Sequence, residues 1–152
     1  MSKFTISIDI QSQRFLSEVR KGGNILCNFY ITFNDTSFPS DPWLDFPVIV
    51  LDWWLEGYLT LRRTGRSVEN SFMNGPFEFT SEMKGEIIKL IFRQRTAKGT
   101  KEVGESIELT LKEYENELIR VAELLLDVLD RLLVSGRDLD NLRANLALVR
   151  SI

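Results

Sequence analysis

The sequence predicts an α+β fold: an antiparallel sheet of five or six strands packed against one internal helix and two C-terminal helices, as one domain over residues 1–152. Three observations carry this reading. Residues 4–10 and 67–110 show the two-residue alternation and tight-turn chemistry of strands. Residues 45–63 place apolar side chains at helical spacing, and residues 110–149 do so again, interrupted only at Ser135-Gly136.

Taken in order, Phe4, Ile6, Ile8 and Ile10 alternate with Thr5, Ser7 and Asp9, so 4–10 reads as a half-buried strand. Residues 11–24 are polar and end in the turn signal Gly22-Gly23-Asn24, with 15–20 as strand or turn. Residues 25–33 (ILCNFYITF) carry apolar side chains on both faces, as a central strand does. The stretch 34–44, with Asn34-Asp35, Pro39 and Pro42, reads as a loop.

Asp45-Phe46-Pro47 opens a helix. Asp45 is expected to cap the free amides, and proline is tolerated in a first turn because its missing N–H would be unpaired there. Val48, Leu51, Trp54, Leu55, Tyr58 and Leu61 then form an apolar stripe to about residue 63, although the β-branched run 48–50 also fits a strand start. Asn74-Gly75 is expected to join 67–73 and 76–83 as a hairpin. Lys84-Gly85 marks the next reversal. Strand 86–95 has Ile88, Leu90 and Phe92 on one face, residues 96–99 turn, and 102–110 form the last strand.

Thr110 with Glu113 fits a capping box, and the helix it opens is expected to reach Val134. Its stripe is Leu111, Tyr114, Leu118, Val121, Leu125, Val128 and Leu132, widened by Ala122, Leu129 and Leu133. Gly136 is expected to end it as a left-handed cap, and Asp138 to cap a final helix through Val149.

The 152 residues are 43% apolar and 27% charged, a composition that argues against disorder. Residues 1–9 lack the continuous apolar stretch of a secretory leader, and the longest apolar run, 46–55, is broken by Asp52 and too short to span a bilayer, so the expectation is a cytoplasmic protein with no membrane partner. The lone Cys27, inside an apolar segment, is expected to be a buried structural thiol. Charge is uneven. Residues 84–101 hold Lys84, Lys89, Arg93, Arg95, Lys98 and Lys101 against Glu86 alone, whereas acids outnumber bases eleven to four between 102 and 140.

Chemistry is sparse. The chain has no histidine, which removes the usual serine and cysteine triads and the imidazole ligands of most catalytic zinc sites. A single cysteine builds no structural zinc site, and Lys21-Gly22-Gly23-Asn24 lacks the spacing of a phosphate loop. Neither a cofactor nor an enzymatic activity is expected. The basic stretch 89–101 is too small, in an acidic chain, to suggest nucleic acid.

Three features admit a functional reading beside a structural one. In Trp53-Trp54 the two rings point about 100° apart on a helix, so one fills the core and the other lies at its edge or in an interface; Trp54 is assigned to the partner. The segment Phe72-Met73-Asn74-Gly75-Pro76-Phe77 reads as a turn flanked by core aromatics, with Asn74 as its only chemical handle. On the long helix, Glu113, Asn116, Arg120, Glu123, Asp127 and Asp130 share an outer face, either solvated or an acidic docking surface for a basic partner.

The patterns Trp43-x-Asp45-Phe46-Pro47-Val48-x-Val50-Leu51-x-Trp53-Trp54-Leu55 and Phe72-Met73-x-Gly75-Pro76-Phe77 resemble small bacterial immunity proteins of toxin–immunity systems. Size, acidity and the missing catalytic residues are similar as well. The resemblance implies an intracellular, non-enzymatic inhibitor that binds a cognate toxin domain and blocks its active site. It carries over no binding residue, so the acidic helix rests on charge alone. The alternative from another class is a small-ligand or hydrolytic domain whose pocket, between sheet and helices, is lined by Trp53, Trp54 and Tyr58. A homodimer through a strand edge or Trp54 is a third reading.

Overall fold

The computed structural model describes residues 4–21 and 24–152; the expected turn at Gly22 and Gly23 and the first three residues lie outside them. The architecture is α+β with antiparallel sheets, as the sequence indicates. Two sheets replace the single one expected. The first is built from β1 (Thr5–Ile8), β2 (Cys27–Phe33), β3 (Thr36–Phe38) and β4 (Leu44–Asp45), with β1 on one side of β2 and both β3 and β4 on the other. The second contains β5 (Val68–Ser71), β6 (Phe77–Lys84), β7 (Ile87–Thr96), β8 (Gly99–Glu102) and β9 (Ile107–Thr110). The helices are α1 (Gln13–Lys21), α2 (Pro47–Thr64), α3 (Leu111–Arg131) and α4 (Arg137–Arg150).

Several differences from the sequence reading have local causes. The polar stretch after β1 is the helix α1. Ser12 Oγ accepts the Phe15 N–H at 3.1 Å, and Phe15, Leu16 and Val19 turn one side inward. The supposed loop after β2 begins with a two-residue hairpin: Asn34 and Asp35 both take positive φ (47° and 62°), the conformation such a turn demands and these residues tolerate. The expected last strand is divided. β8 pairs with the Arg93–Thr96 half of β7 and β9 with the Ile87–Leu90 half, and Val103 bridges the gap by donating to the Phe92 carbonyl. Asn74-Gly75 is the middle of a four-residue loop, because the Phe72 N–H donates to the Phe77 carbonyl and leaves 73–76 unpaired in the ladder.

One apolar core joins both sheets and all four helices. Phe33 stacks on Phe92 with centroids 4.5 Å apart, while Trp54 meets Phe29 at 5.2 Å and Phe79 at 5.0 Å. The α2 stripe read from sequence is buried throughout. Gly57 lets α2 approach β5, since a Cβ there would lie 2.5 Å from Asn70 Oδ1. Cys27 is buried, and burial pushes its thiol up to about 12. No described helix is long and apolar enough to cross a membrane.

The α3–α4 connection departs furthest from expectation. Thr110 caps α3, accepting from the Glu113 N–H at 3.0 Å, but the helix stops at Arg131 and leaves Leu132 and Leu133 outside the core. Leu133, not Gly136, is the left-handed residue (φ 58°). Val134 donates to the Leu129 carbonyl and Leu133 to that of Asp130, the bond pair that closes a helix around a left-handed position. Gly136 instead precedes α4, whose first turn, not its cap, contains Asp138. Leucine at a left-handed position costs roughly 1–2 kcal/mol, and with 90% of its surface exposed its side chain regains nothing by packing. Leu133→Gly is therefore expected to stabilise the fold by about 0.5–1 kcal/mol after allowing for the looser unfolded chain. This would be read as a higher urea midpoint at unchanged slope; an unchanged or lower midpoint contradicts it.

Candidate functional site

The two sequence patterns meet in space and form one clasp. Asp45, fully buried at the end of β4, accepts the Phe46 N–H (2.8 Å), the Trp43 Nε1–H (3.0 Å), and the Met73 and Asn74 N–H groups (both 3.2 Å). Asn74 returns its amide Nδ2 to the Leu44 carbonyl at 2.8 Å. Trp43 lies edge-on to Phe77 and covers Gly75, where φ is 70° and a Cβ would sit 2.9 Å from the indole. Asp45 thus does not cap α2: Phe46 holds the cap position, and the carboxylate ties the start of the helix to the β5–β6 loop. These motif residues are accounted for by architecture.

Trp54 is a correction. It is fully buried, its Nε1–H donates to the Ser71 carbonyl at 2.9 Å, and it cannot touch a partner in the folded protein. The exposed member of the pair is Trp53, at 40%. Of the three residues expected to line a pocket between sheet and helices, Trp54 and Tyr58 are core residues and Trp53 is exposed. Tyr58 donates to Glu115 Oε1 at 3.0 Å and accepts from Arg62 at 3.1 Å; burial first, then the Glu115 bond, pushes its hydroxyl up to about 12. Its neighbour Tyr114 is completely buried, and its hydroxyl, without a hydrogen-bond partner among the described residues, is driven by burial far above the ordinary phenol range. Among the described residues no group of three or more histidine, cysteine or acidic side chains is placed to hold a metal ion.

The remaining candidates, Glu113, Asn116, Arg120, Glu123, Asp127 and Asp130, are all exposed along α3. Four of them line one shallow hollow: Asn116, Arg120, Glu123 and Asp127, together with Ile119 and Leu124. Sequence reasoning missed Leu124, an exposed leucine (38%) inside the charged face. The acids are less free than their count suggests. Glu123 pairs with Arg150 at 3.0 Å, Asp127 with Arg131 at 2.9 Å, and Asp130 with Arg143, whose hydrogen bond holds the Asp130 carboxyl below its usual range. Two of these arginines come from α4, a pairing no linear charge count reveals.

Arg120 has a further task. With Glu117 it covers the open edge of β1: Glu117 Oε2 accepts the Ile6 N–H at 2.6 Å, and Arg120 donates to the Ile6 carbonyl at 3.0 Å. On the second sheet the basic residues of β7 are interleaved with acids. Lys89 stands between Glu82 and Glu108, Arg93 between Glu78 and Glu102, and Arg95 pairs with Glu78 at 2.7 Å.

Compared with known proteins, the chain matches no family model, no curated protein and no solved structure.

Proposed function

We propose that this chain is a non-enzymatic binding protein: an intracellular bacterial immunity protein that neutralises a cognate toxin domain by covering its active site with the outer face of α3. The observation that carries the reading is the hollow around Leu124. An exposed apolar centre with a charged rim is the usual anatomy of a protein interface. The rim acids are held by exposed ion pairs worth little to the fold, so a basic partner can exchange them at small cost. Charge then contributes to encounter and orientation, and Leu124 to affinity.

The test begins by capturing the partner with the tagged chain from its own source and purifying it. Titration calorimetry then compares the wild type with Leu124→Glu and with mixed charge reversals at Glu113, Glu123, Asp127 and Asp130. Leu124→Glu is expected to weaken binding by about thirtyfold, the scale of an interface hot spot, and the reversals to abolish its salt dependence. If a partner bound both variants like the wild type, the α3 surface would be ruled out.

A further inference from the structure

A second surface lies where α2 meets α4. α2 and α4 run parallel: Phe46, Val48 and Ile49 share a cleft with residues 136–139, Asp52 accepts from Asn145 Nδ2 at 2.6 Å, and Leu59 and Arg63 share the next cleft with Leu148 and Ile152. That last cleft, of about 490 Å³, has an apolar floor of Leu59, Leu148 and Ile152 and a rim containing Glu56 and Arg63. Leu148 and Ile152 are 55% and 53% exposed, and Trp53 stands one turn before Glu56 on the outer side of α2. Neither Glu56 nor Arg63 enters an ion pair among the described residues.

We infer that this seam is a homodimer interface, whose occupant is α2 of a second copy of the chain packed antiparallel across a two-fold axis. The charge pattern selects that partner. Glu56 and Arg63 are two helical turns apart, a spacing that returns to one face within about 20°. Turning a second α2 about an axis beside Leu59 and Thr60 sets Glu56 of each copy against Arg63 of the other, so the surface is complementary to itself, as a two-fold interface requires. The apolar floor falls at the axis and the charges flank it. α3 contacts α4 through Arg143 and Arg150, whereas Asn145, Leu148 and Ile152 face α2, so the dimer leaves both α3 faces open. The proposal does not depend on the toxin reading.

Sedimentation equilibrium of the full chain tests it. The wild type is expected to dimerise with concentration. Glu56→Arg sets two bases against each other and Arg63→Glu two acids, so each alone is expected to raise the dissociation constant by at least about tenfold. An equimolar mixture of the two variants regains unlike pairs and is expected to form a heterodimer of near wild-type affinity, as is the double variant with itself. Both side chains are solvent-facing, so far-ultraviolet circular dichroism is expected to be unchanged. A wild type that remains monomeric throughout, or a dimer indifferent to both single variants, overturns the proposal. So does a failure of the mixture to recover while the single variants remain folded.

Discussion

Replacing Asp45 by alanine is expected to remove on the order of 4 kcal/mol from the stability of the fold, a large part of what a domain of this size possesses. The carboxylate is fully buried and accepts four hydrogen bonds, three from backbone N–H groups and one from an indole. Truncation leaves those donors facing a small void that cannot hydrate all of them. It also frees the β5–β6 loop from the start of α2, because the Met73 and Asn74 N–H groups lose the carboxylate oxygens that accept them. Asp45→Asn keeps the shape but turns an NH₂ group towards donors, so it is expected to recover less than half of the loss. Urea unfolding followed by tryptophan fluorescence measures both variants. A loss of under about 1 kcal/mol for the alanine variant would mean that water satisfies the donors.

The clasp also explains why parts of the sequence were easier to read than others. Elements whose side chains repeat with a regular period declared themselves: the α2 stripe from Val48 to Leu61, the inward face Ile88, Leu90 and Phe92 of β7, the Thr110 cap, and Leu139, Leu142, Leu146 and Val149 of α4 are all buried or bonded as their spacing implies. Asp45 did not, because an aspartate before a helical proline looks like a cap, and only tertiary structure brings Met73 and Asn74 to it. The short α1 has just Phe15, Leu16 and Val19 to mark it, although Ser12 offered a capping signal. The charged face of α3 was legible as exposed, but the arginines that balance it sit on α4, and the apolar Leu124 was lost among the charges. Periodicity reports the face a residue occupies; it does not report which distant side chain arrives there.

The adjacent tryptophans pose the same problem in its sharpest form, and their substitutions are expected to separate cleanly. Trp54→Ala is expected to cost about 3–5 kcal/mol, the usual range for emptying a large aromatic site in a packed core. Its ring is wedged among Phe29, Phe72 and Phe79 with centroids 5.0–5.2 Å away, and it also forfeits the Nε1–H bond to the Ser71 carbonyl. Trp53→Ala, on the exposed side of the same helix, is expected to change stability by less than about 0.5 kcal/mol. The functional order is reversed. Trp54 acts on any partner only through the folded fraction, so an osmolyte that refolds the Trp54→Ala chain is expected to restore binding to the cognate partner. Trp53 flanks the proposed dimer seam, so its removal is expected to weaken self-association while leaving the urea midpoint of the monomer in place. Equal losses of stability in the two variants would contradict the burial difference on which both arguments stand.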